Sequence, residues 1–432
     1  MAAAVAARRL FAGHRATEVA ENAERTGITP RIGESERQQE TKQGNSVNQP
    51  RRLAPHPPLS LHPGYSHQVP EIRAGQIVLF YLFDVAETID LQAIPPLVGG
   101  PAVAARLAPK PATPGYIQYD KPPLTVEGDV IGVAEAGGFH PRFRVYDYGV
   151  LSVALVRPFS GDWCDLVAQA QDLIENAEVE QCAESLCRVM VDRIRSGLKG
   201  EHARFLSEDY QVYTVHELDR PQSAQELLEA HGTDIAVMLR GERQTLSEEE
   251  RTAVLRHRIS YLSDDLVVPT WNGAFVYDTV AGARAAMEIL EFANSQLLEF
   301  RYYDARLDDD LVSSYALLQH PRWYDQWIGS RYARAARHVH ALVIDVNELT
   351  DRTENALKFI GDIYAARLFR LVADRLGLGT WKADVEAKLK TLDDIYRFAL
   401  EQSSMSRGQF LELTVVLILV LELLLIFLGV MK

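Results

Sequence analysis

The chain has little cysteine and none of the glycine-rich motifs that bind phosphate. Only Cys164, Cys182 and Cys187 occur in 432 residues, and an odd number without framework spacing excludes a disulfide-stabilised scaffold. We interpret all three as small core residues in a reducing compartment. The P-loop, dinucleotide and nucleophile-elbow motifs are also absent. No catalytic, cofactor-binding or metal site is therefore predicted, and we expect a non-enzymatic protein.

Basic residues are also fewer than acidic residues. The 45 basic residues face 59 acidic ones, so the net charge is −14. This excess argues against nucleic-acid or anionic-lipid binding by the protein as a whole. One local exception is RYARAARHVH (331–340), which is either a solvated helix face or a contact for an acidic partner such as RNA or lipid headgroups. Its candidate residues are Arg331, Arg334, Arg337 and His338.

The first 70 residues contain no apolar run of signal-peptide length. Their start is rich in alanine and arginine, as in mitochondrial transit peptides, but Glu18, Glu21 and Glu24 follow soon. Transit peptides are poor in acidic residues. We predict a disordered extension over 1–70, or a start site assigned too early, with a targeting peptide as the alternative.

Residues 71–278 mix strand and helix patterns without a regular alternation. Apolar runs rich in valine, tyrosine and phenylalanine predict strands at 76–91, 129–137, 143–159, 210–218 and 233–241. The intervening patterns predict helices at 163–198, 222–232 and 246–258. A strand pair turns around Asn272-Gly273. This order favours an α+β domain with a mixed, largely antiparallel sheet.

Residues 279–408 are predicted to be helical, with two apolar seams of heptad spacing. One seam lies within 342–363 and contains Val346, Leu349, Thr353, Ala356, Ile360 and Ile363. The other lies within 385–399 and contains Val385, Leu389, Leu392, Tyr396 and Ala399. Gly377-Leu378-Gly379 separates them. The spacing predicts an antiparallel coiled-coil hairpin, and we expect homo-oligomers to form through any seam surface left uncovered.

The helix predicted over 290–311 is unusually polar for a helix interior. Its polar residues recur at spacings that place them within reach of one another. One interpretation is a buried polar network that fixes the helix register, and the other is a ligand site between this helix and the sheet. The candidate residues are Asn294, Gln296, Glu299, Arg301 and Asp304.

The last apolar run, Leu413–Met431, has 19 residues and a single charge, Glu422. Its 15 leucine, isoleucine, valine and phenylalanine residues each favour insertion by roughly 0.3 to 0.6 kcal/mol, which outweighs a cost of about 3 kcal/mol for Glu422. Only Lys432 follows. We predict a C-terminal transmembrane anchor over 409–432, with Glu422 either tolerated or hydrogen-bonded across helices.

Three segments resemble the YagE-like family, a domain of unknown function that includes the "required for meiotic nuclear division" proteins. They are YDYGVLSVALVRPF (146–159), FANSQLLEFRYYD (292–304) and the tail 407–429, where Arg407, Leu411, Glu412 and Glu422 match. Leu413 stands where the family often has tryptophan. The resemblance implies a membrane-anchored protein, linked in mitochondria to translation and hence to the ribosome. It carries no catalytic residue.

Together these patterns predict a single-pass membrane protein whose bulk faces the cytoplasm, or the mitochondrial matrix as the alternative. The predicted partners are the lipid bilayer, further copies of the chain and a macromolecule near the membrane. The leading hypothesis is a non-enzymatic scaffold or interaction protein, with a role in translation or membrane-protein biogenesis implied by the resemblance. The alternative is a ligand-binding sensor or enzyme with its site between the sheet and the 290–311 helix.

Overall fold

The structure, a computed structural model, describes residues 71–98, 103–104, 122–133, 135–319, 339–351 and 363–427. Contacts divide the chain after Ser66, and every described residue belongs to the second unit, His67–Lys432. The extension predicted over 1–70 lies outside the described residues. So do all four basic-patch candidates, Arg331, Arg334, Arg337 and His338.

The described part of the chain forms an eight-stranded sheet with the order β2-β3-β4-β5-β1-β6-β8-β7. The strands are β1 Ile72–Ile89, β2 Val103–Ala104, β3 Leu124–Glu127, β4 His140–Val145, β5 Val150–Gly161, β6 Leu198–Leu218, β7 Leu266–Pro269 and β8 Gly273–Tyr277. β6 and β8 pair in parallel, and the other neighbouring pairs are antiparallel. The predicted α+β class with a largely antiparallel sheet is therefore confirmed.

Strand β1 is the central strand, and its sequence explains its position. Successive apolar residues alternate between the two faces of a strand, so an uninterrupted apolar run requires cover on both faces. Ile77 and Leu79 enter the core on one face, while Val78 and Phe80 enter the core on the other. Helices therefore pack on both sides of the sheet, which gives three layers.

The helices that precede β7 cover one face. They are α1 Ile94–Val98, α2 Trp163–Leu173, α3 Ala177–Ile194, α4 Ala224–Arg240 and α5 Glu248–Arg256. The Asp162 side chain accepts a 2.7 Å hydrogen bond from the Asp165 amide and caps α2. Ser247 caps α5 through the Glu250 amide at 3.2 Å. Both caps lie where the sequence predicts helix starts.

Two sequence predictions in this layer are wrong. The helix predicted over 163–198 is interrupted between α2 and α3, where Glu175 adopts a left-handed φ of 51°. The strand predicted over 233–241 is the second half of α4. Gly232 lies inside this helix and does not end it. A Cβ at this position would lie 3.0 Å from a side-chain carbon of Leu255 in α5. The glycine allows close packing of the two helices.

The cysteine prediction is correct for one residue only. Cys187 is buried in the core, whereas Cys164 is exposed and Cys182 is half-buried. Cys164 lies in the first turn of α2, next to the buried Trp163 that anchors the helix. The amphipathic pattern places Trp163 on the sheet and turns its neighbour toward solvent.

The helices that follow β8 cover the other face. They are α6 Val280–Gln319, α7 (residues 339–351), α8 Ile363–Arg375 and α9 Leu378–Phe427. The turn between α8 and α9 contains Gly377, with φ 66°. Apolar residues of both heptad seams are buried in the same core as Val78 and Phe80 of the sheet. They are Val346, Leu349, Val385, Leu389, Leu392 and Tyr396.

The apolar end of α9 differs from every other described helix surface. Val415–Val420, Leu421, Leu423 and Leu424 are each more than half exposed. Among the residues that the structure describes, no helix is both long enough and apolar enough to cross a membrane. The predicted anchor Leu413–Met431 extends past the described residues, which end at 427.

Candidate functional site

A cavity of about 280 Å³ lies between the sheet and the second helical layer, where β1 and β6 meet α6 and α7. Its size is near the lower end of small-molecule sites, which span roughly 300–1,000 Å³. Polar and aromatic side chains dominate the lining. The residues that define its chemistry are Asp84, Glu87, Tyr148, His202, Glu299, Tyr302, Tyr303, Arg306, Asp345 and Glu348.

An irregularity in the sheet shapes one wall of this cavity. Along the β1–β6 ladder Asp84 pairs with Leu206, but Ala86 pairs with Glu201. Residues 202–205 of β6 therefore lie opposite Val85 alone. Extra residues of this kind bend a strand and redirect its side chains, and they occur often beside functional sites. Here the bend places His202 beside Asp84.

Asp84 and His202 form a close pair in this wall. The Asp84 Oδ2 lies 3.1 Å from His202 Nδ1, and the exposed fraction of the two side chains is 2% and 14%. A carboxylate at Nδ1 holds a histidine in one tautomer and orients its ring. The imidazole also stacks on Tyr302, with ring centroids 4.8 Å apart and an interplanar angle of 16°.

The pair perturbs the titration of both groups. Burial raises the pKa of Asp84, and the hydrogen bond and charge of His202 oppose that shift only in part. Burial acts to lower the pKa of His202, but Asp84 outweighs it and the pKa is raised above 6.5. Perturbed titratable groups that share a cleft are typical of functional sites.

Tyrosines of α6 and of the β4–β5 turn form the aromatic part of the cavity. Tyr302 and Tyr303 meet edge to face with centroids 5.3 Å apart. Arg306 Nη1 donates a 2.7 Å hydrogen bond to the Tyr302 hydroxyl. The Tyr148 hydroxyl lies 2.7 Å from Ser295 Oγ, which ties the turn to α6. These contacts hold the rings in place.

The lining is predominantly acidic. Its five carboxylates, Asp84, Glu87, Glu299, Asp345 and Glu348, face one guanidinium and one imidazole. Burial raises the pKa of Tyr303, and the charges of Glu299 and Asp345 add to this. Both carboxylates thus contribute a negative potential at the ring. Among the described residues, no group of three histidine, cysteine or acidic side chains is arranged to hold a metal ion.

The structure places the five polar candidates of α6 in different surroundings. Glu299 lines the cavity and is 4% exposed. Arg301 forms an ion pair with Glu208 of β6, and Asp304 lies 2.7 Å from Lys388 of α9. The Asn294 amide donates to the Leu290 carbonyl of its own helix at 2.8 Å. Gln296 is fully buried.

The remaining predicted site residue lies far along α9. Glu422 is exposed, in the middle of the exposed apolar segment. It does not line the cavity between β1, β6, α6 and α7. Its predicted role in a membrane helix is therefore separate from the chemistry of the cavity.

Sequence reasoning missed the Asp84–His202 pair. Asp84 is visible as a lone carboxylate in the apolar run of β1, and such a buried charge needs a partner. His202 lies 118 positions later in KGEHARFLSED, a polar stretch that the sequence analysis leaves outside any strand. No spacing rule connects the two residues, because the irregular β1–β6 pairing brings them together.

The fold and cavity define the protein as a three-layer α+β protein with an acidic, aromatic pocket. Residues 74–283 match the family model described as "Uncharacterized protein MJ0711, N-terminal domain". The chain is similar to "Uncharacterized protein MJ0711" of Methanocaldococcus jannaschii, with 23% identity over 282 residues, 65% of this chain and 80% of that protein. No solved structure matches.

These matches overturn the resemblance to the YagE-like family. The matching family model is a different one, and the link to translation implied by the resemblance is withdrawn. Two of the three segments that carried it, the strand 146–159 and the tail 407–429, are mainly apolar. Such sequences look alike in unrelated proteins, because burial alone selects the same few residue types.

Proposed function

We propose that this protein binds a small ligand in the cavity between the sheet and α6, and that α9 attaches the α+β body to a lipid bilayer. The Asp84–His202 pair carries the ligand-binding part. A buried carboxylate and imidazole at a strand irregularity, beside a cavity with aromatic walls, match the general properties of ligand sites. This is the alternative function that the sequence left open, and the geometry favours it.

The exposed apolar segment of α9 supports the membrane part. Residues 415–424 are apolar around the whole circumference of the helix except at Glu422, and all of them are exposed. A helix that is apolar on every side requires an apolar environment, such as a protein core or a bilayer. The apolar run Leu413–Met431 has 19 residues. This length is close to the ~20 residues that a helix needs to span a bilayer.

The scaffold hypothesis and the predicted homo-oligomer remain predictions. The basic-patch candidates for a macromolecular contact lie outside the described residues. The seam residues Val385, Leu389 and Leu392, proposed for self-association, are already buried in the helical layer, where α9 packs on α6. The seam residue Ile363 is exposed, as is Ile344 of α7, so we expect any self-association to involve this part of the chain.

The ligand-binding proposal is tested by filling the cavity. Ala341 of α7 lines the cavity and is exposed, so Ala341→Trp places a ring in it without disturbing the core. Ile344, which is 55% exposed on the same helix and outside the cavity lining, gives the matched control Ile344→Trp. The full-length wild type and both variants are extracted in mild detergent. Native mass spectrometry then detects any bound small molecule, and melting temperatures are measured with each compound of a metabolite library.

We expect the wild type and Ile344→Trp to carry, or to be stabilised by, the same small molecule, and Ala341→Trp to lose it. A wild-type mass equal to that of the polypeptide, with no stabilisation by any library compound, contradicts ligand binding. Equal ligand retention by all three proteins places the site outside this cavity.

A further inference from the structure

A second cavity lies on the other face of the sheet, between the end of β5 and the junction of α2 with α3. We call it the Arg157 pocket. Its volume of about 380 Å³ falls within the range of small-molecule sites, roughly 300–1,000 Å³. None of its described lining residues belongs to the cavity of Asp84 and His202. The residues that define its chemistry are Phe139, Leu155, Arg157, Gln169, Leu173 and Cys182.

Arg157 occupies a position of β5 that normally takes an apolar residue. Alternate residues of a strand face the same side, and the neighbours of Arg157 on that side, Leu155 and Phe159, are both buried in the core. The Nε atom of Arg157 is buried. Within the described part of the chain, the guanidinium forms neither an ion pair nor a hydrogen bond. Burial lowers the pKa of Arg157, and a cation in this position requires an acceptor.

Phe139 holds the guanidinium in place. The Cζ atom of Arg157 lies 4.6 Å from the centroid of the Phe139 ring. A two-residue turn fixes the ring, because the Phe139 amide donates to the Ala136 carbonyl at 3.0 Å. Gly137 and Gly138 between them have left-handed φ values of 60° and 77°, which glycine adopts without strain. The ring contacts the flat side of the guanidinium, so the N–H groups in its plane remain for hydrogen bonds.

The rest of the lining suits an apolar molecule with a single negative charge. Leu155 and Leu173 belong to the buried core and give the pocket an apolar surface. Asp172 and Glu178 also line it and are exposed, so they disfavour an anion of higher charge. The N-terminus of α3 does not offer a phosphate site, because the Asn176 side chain already accepts the Glu178 amide at 3.1 Å.

We propose that the Arg157 pocket binds a small monocarboxylate with an apolar body. The planar guanidinium presents parallel N–H groups that match the two oxygens of a carboxylate. The hydrocarbon part packs on Phe139 and Leu173, and the Gln169 amide supplies a further hydrogen-bond donor. This site is independent of the ligand proposed for the cavity of Asp84 and His202, so the failure of one proposal leaves the other standing.

The test is calorimetric titration of full-length protein in lipid nanodiscs with propionate, hexanoate and phenylacetate. Empty nanodiscs give the background. Phenylacetamide has the shape of phenylacetate without its charge, and inorganic phosphate tests for general anion binding. We expect saturable binding of hexanoate or phenylacetate, weaker binding of propionate, and no binding of phenylacetamide or phosphate.

Matched variants locate the charge that binds the carboxylate. Arg157→Met keeps a long side chain without the charge and should raise the dissociation constant by roughly tenfold to a hundredfold. Arg157→Lys keeps the charge without the paired N–H groups, so its affinity should be intermediate. Arg188 also lies over a phenylalanine ring, Phe205, but outside the pocket, and Arg188→Met should stay within about twofold of the wild type. Melting curves verify that each variant folds.

The cysteines of the chain give a second measurement of the location. Cys182 lines the pocket and is half-buried, whereas Cys164 is exposed and lies outside the lining. A bound monocarboxylate should slow the alkylation of Cys182 by iodoacetamide and leave that of Cys164 unchanged, as measured by peptide mass spectrometry. Arg157→Met should lose this protection. Ala341→Trp, which fills the other cavity, should keep it.

Each outcome decides the question. Phenylacetamide binding as tight as that of phenylacetate refutes recognition of the carboxylate. Equal weakening by Arg157→Met and Arg188→Met means non-specific attraction and overturns the proposal. Saturable binding without protection of Cys182 places the ligand elsewhere, and the absence of saturable binding for all three monocarboxylates refutes the site. Phosphate binding of equal strength, lost in Arg157→Met, contradicts the monocarboxylate class.

Discussion

At the scale of single residues, Asp84 is the most unusual feature of the protein. It is a carboxylate, 2% exposed, directly after the long apolar run of β1. An ionised group in such a position is costly unless a partner compensates it. His202 is that partner, and the ring of Tyr302 covers the pair.

Replacing Asp84 by asparagine should lower the pKa of His202 from above 6.5 to below it. The reason is that burial favours the neutral imidazole, and Asp84 is the main group that opposes this effect, with a smaller contribution from the charge of Glu87. Ring-selective NMR titration of the histidines measures the change. The exposed His140 serves as the internal reference, and an unchanged titration of His202 in Asp84→Asn would show that the pair is not formed in solution.

Gly149, in the turn before β5, lies directly against the backbone of Ala86, a cavity-lining residue of β1. Its φ is 98°, and a Cβ there would overlap the carbonyl oxygen of Ala86. Gly149→Ala should therefore destabilise the fold by on the order of 3 kcal/mol, from backbone strain and from displacement of β1.

Gly138→Ala is the control for this prediction. Gly138 has a similar φ of 77° with no atom within 4 Å of its Cβ position. The control therefore keeps the strain and lacks the overlap, and should cost about 1 kcal/mol. Urea denaturation measures both. Equal destabilisation of the two variants would mean that the approach of Gly149 to Ala86 has no energetic weight.

The residue scale also shows the limit of sequence reasoning about the site. Glu299 was identified because a polar helix interior stands out in the sequence. Tyr148 and Tyr303 cannot be identified in this way, because tyrosine is common in protein cores and its presence in a sequence does not indicate a cavity. The most informative pair, Asp84 and His202, requires knowledge of strand pairing, which a single sequence does not contain.

At the scale of elements, α6 is held on the sheet by polar contacts that recur along its length. Arg144 of β4 lies 3.4 Å from Glu288 and 2.9 Å from Glu291. Ser295 contacts Tyr148, and Arg301 pairs with Glu208. A one-residue rotation of α6 would break all of these contacts, so they define its register.

The pair of carboxylates around Arg144 should make stability depend on pH. Burial raises the pKa of Glu288 from 4.5 to about 7, Arg144 opposes the shift and Glu291 adds to it. The native state thus binds more protons than the unfolded state between these values, so stability falls as pH rises through about 7. Glu288→Gln should remove this decline, whose upper limit is on the order of 3 kcal/mol.

Denaturation between pH 5 and 8 measures this effect. Glu184→Gln, an exposed residue paired with Arg188 on α3, should keep the wild-type slope. If Glu288→Gln also keeps it, the raised pKa of Glu288 does not contribute to the pH dependence.

Elements with strong local patterns could be predicted from the sequence, and those shaped by packing could not. The continuous apolar run of β1 and the capped start of α5 are examples of the first kind. The polar first half of β6 has no strand pattern in its sequence. It forms a strand because it pairs with β1. Gly232 in α4 looks like a helix end, yet it is a contact point with α5.

At the scale of the whole molecule, the apolar segment of α9 is the main unexplained surface. Removal of the chain after Gly408 should convert the protein from a membrane-bound to a soluble folded form, because the exposed residues 415–424 are lost while the buried residues of α9 remain. Flotation with liposomes after a salt wash measures the change.

Leu417→Asp with Leu421→Asp should give the same result with the chain length unchanged, since each charge near the centre of a span costs roughly 3 kcal/mol. Glu348→Gln, on α7, is expected to float like the wild type. Persistent flotation of the truncated protein would locate the membrane contact elsewhere.

The topology has a further consequence for the order of events during synthesis. β1 emerges early, but the sheet face that contains Val78 and Phe80 is covered by α6, which ends at Gln319, well after the partner strand β6 ends at Leu218. At ~5–20 residues per second, the chain needs roughly 5–20 s to grow from Leu218 to Gln319, and the apolar face is exposed on the ribosome during that time. Nascent chains of this protein should therefore depend on chaperones until α6 docks on the sheet.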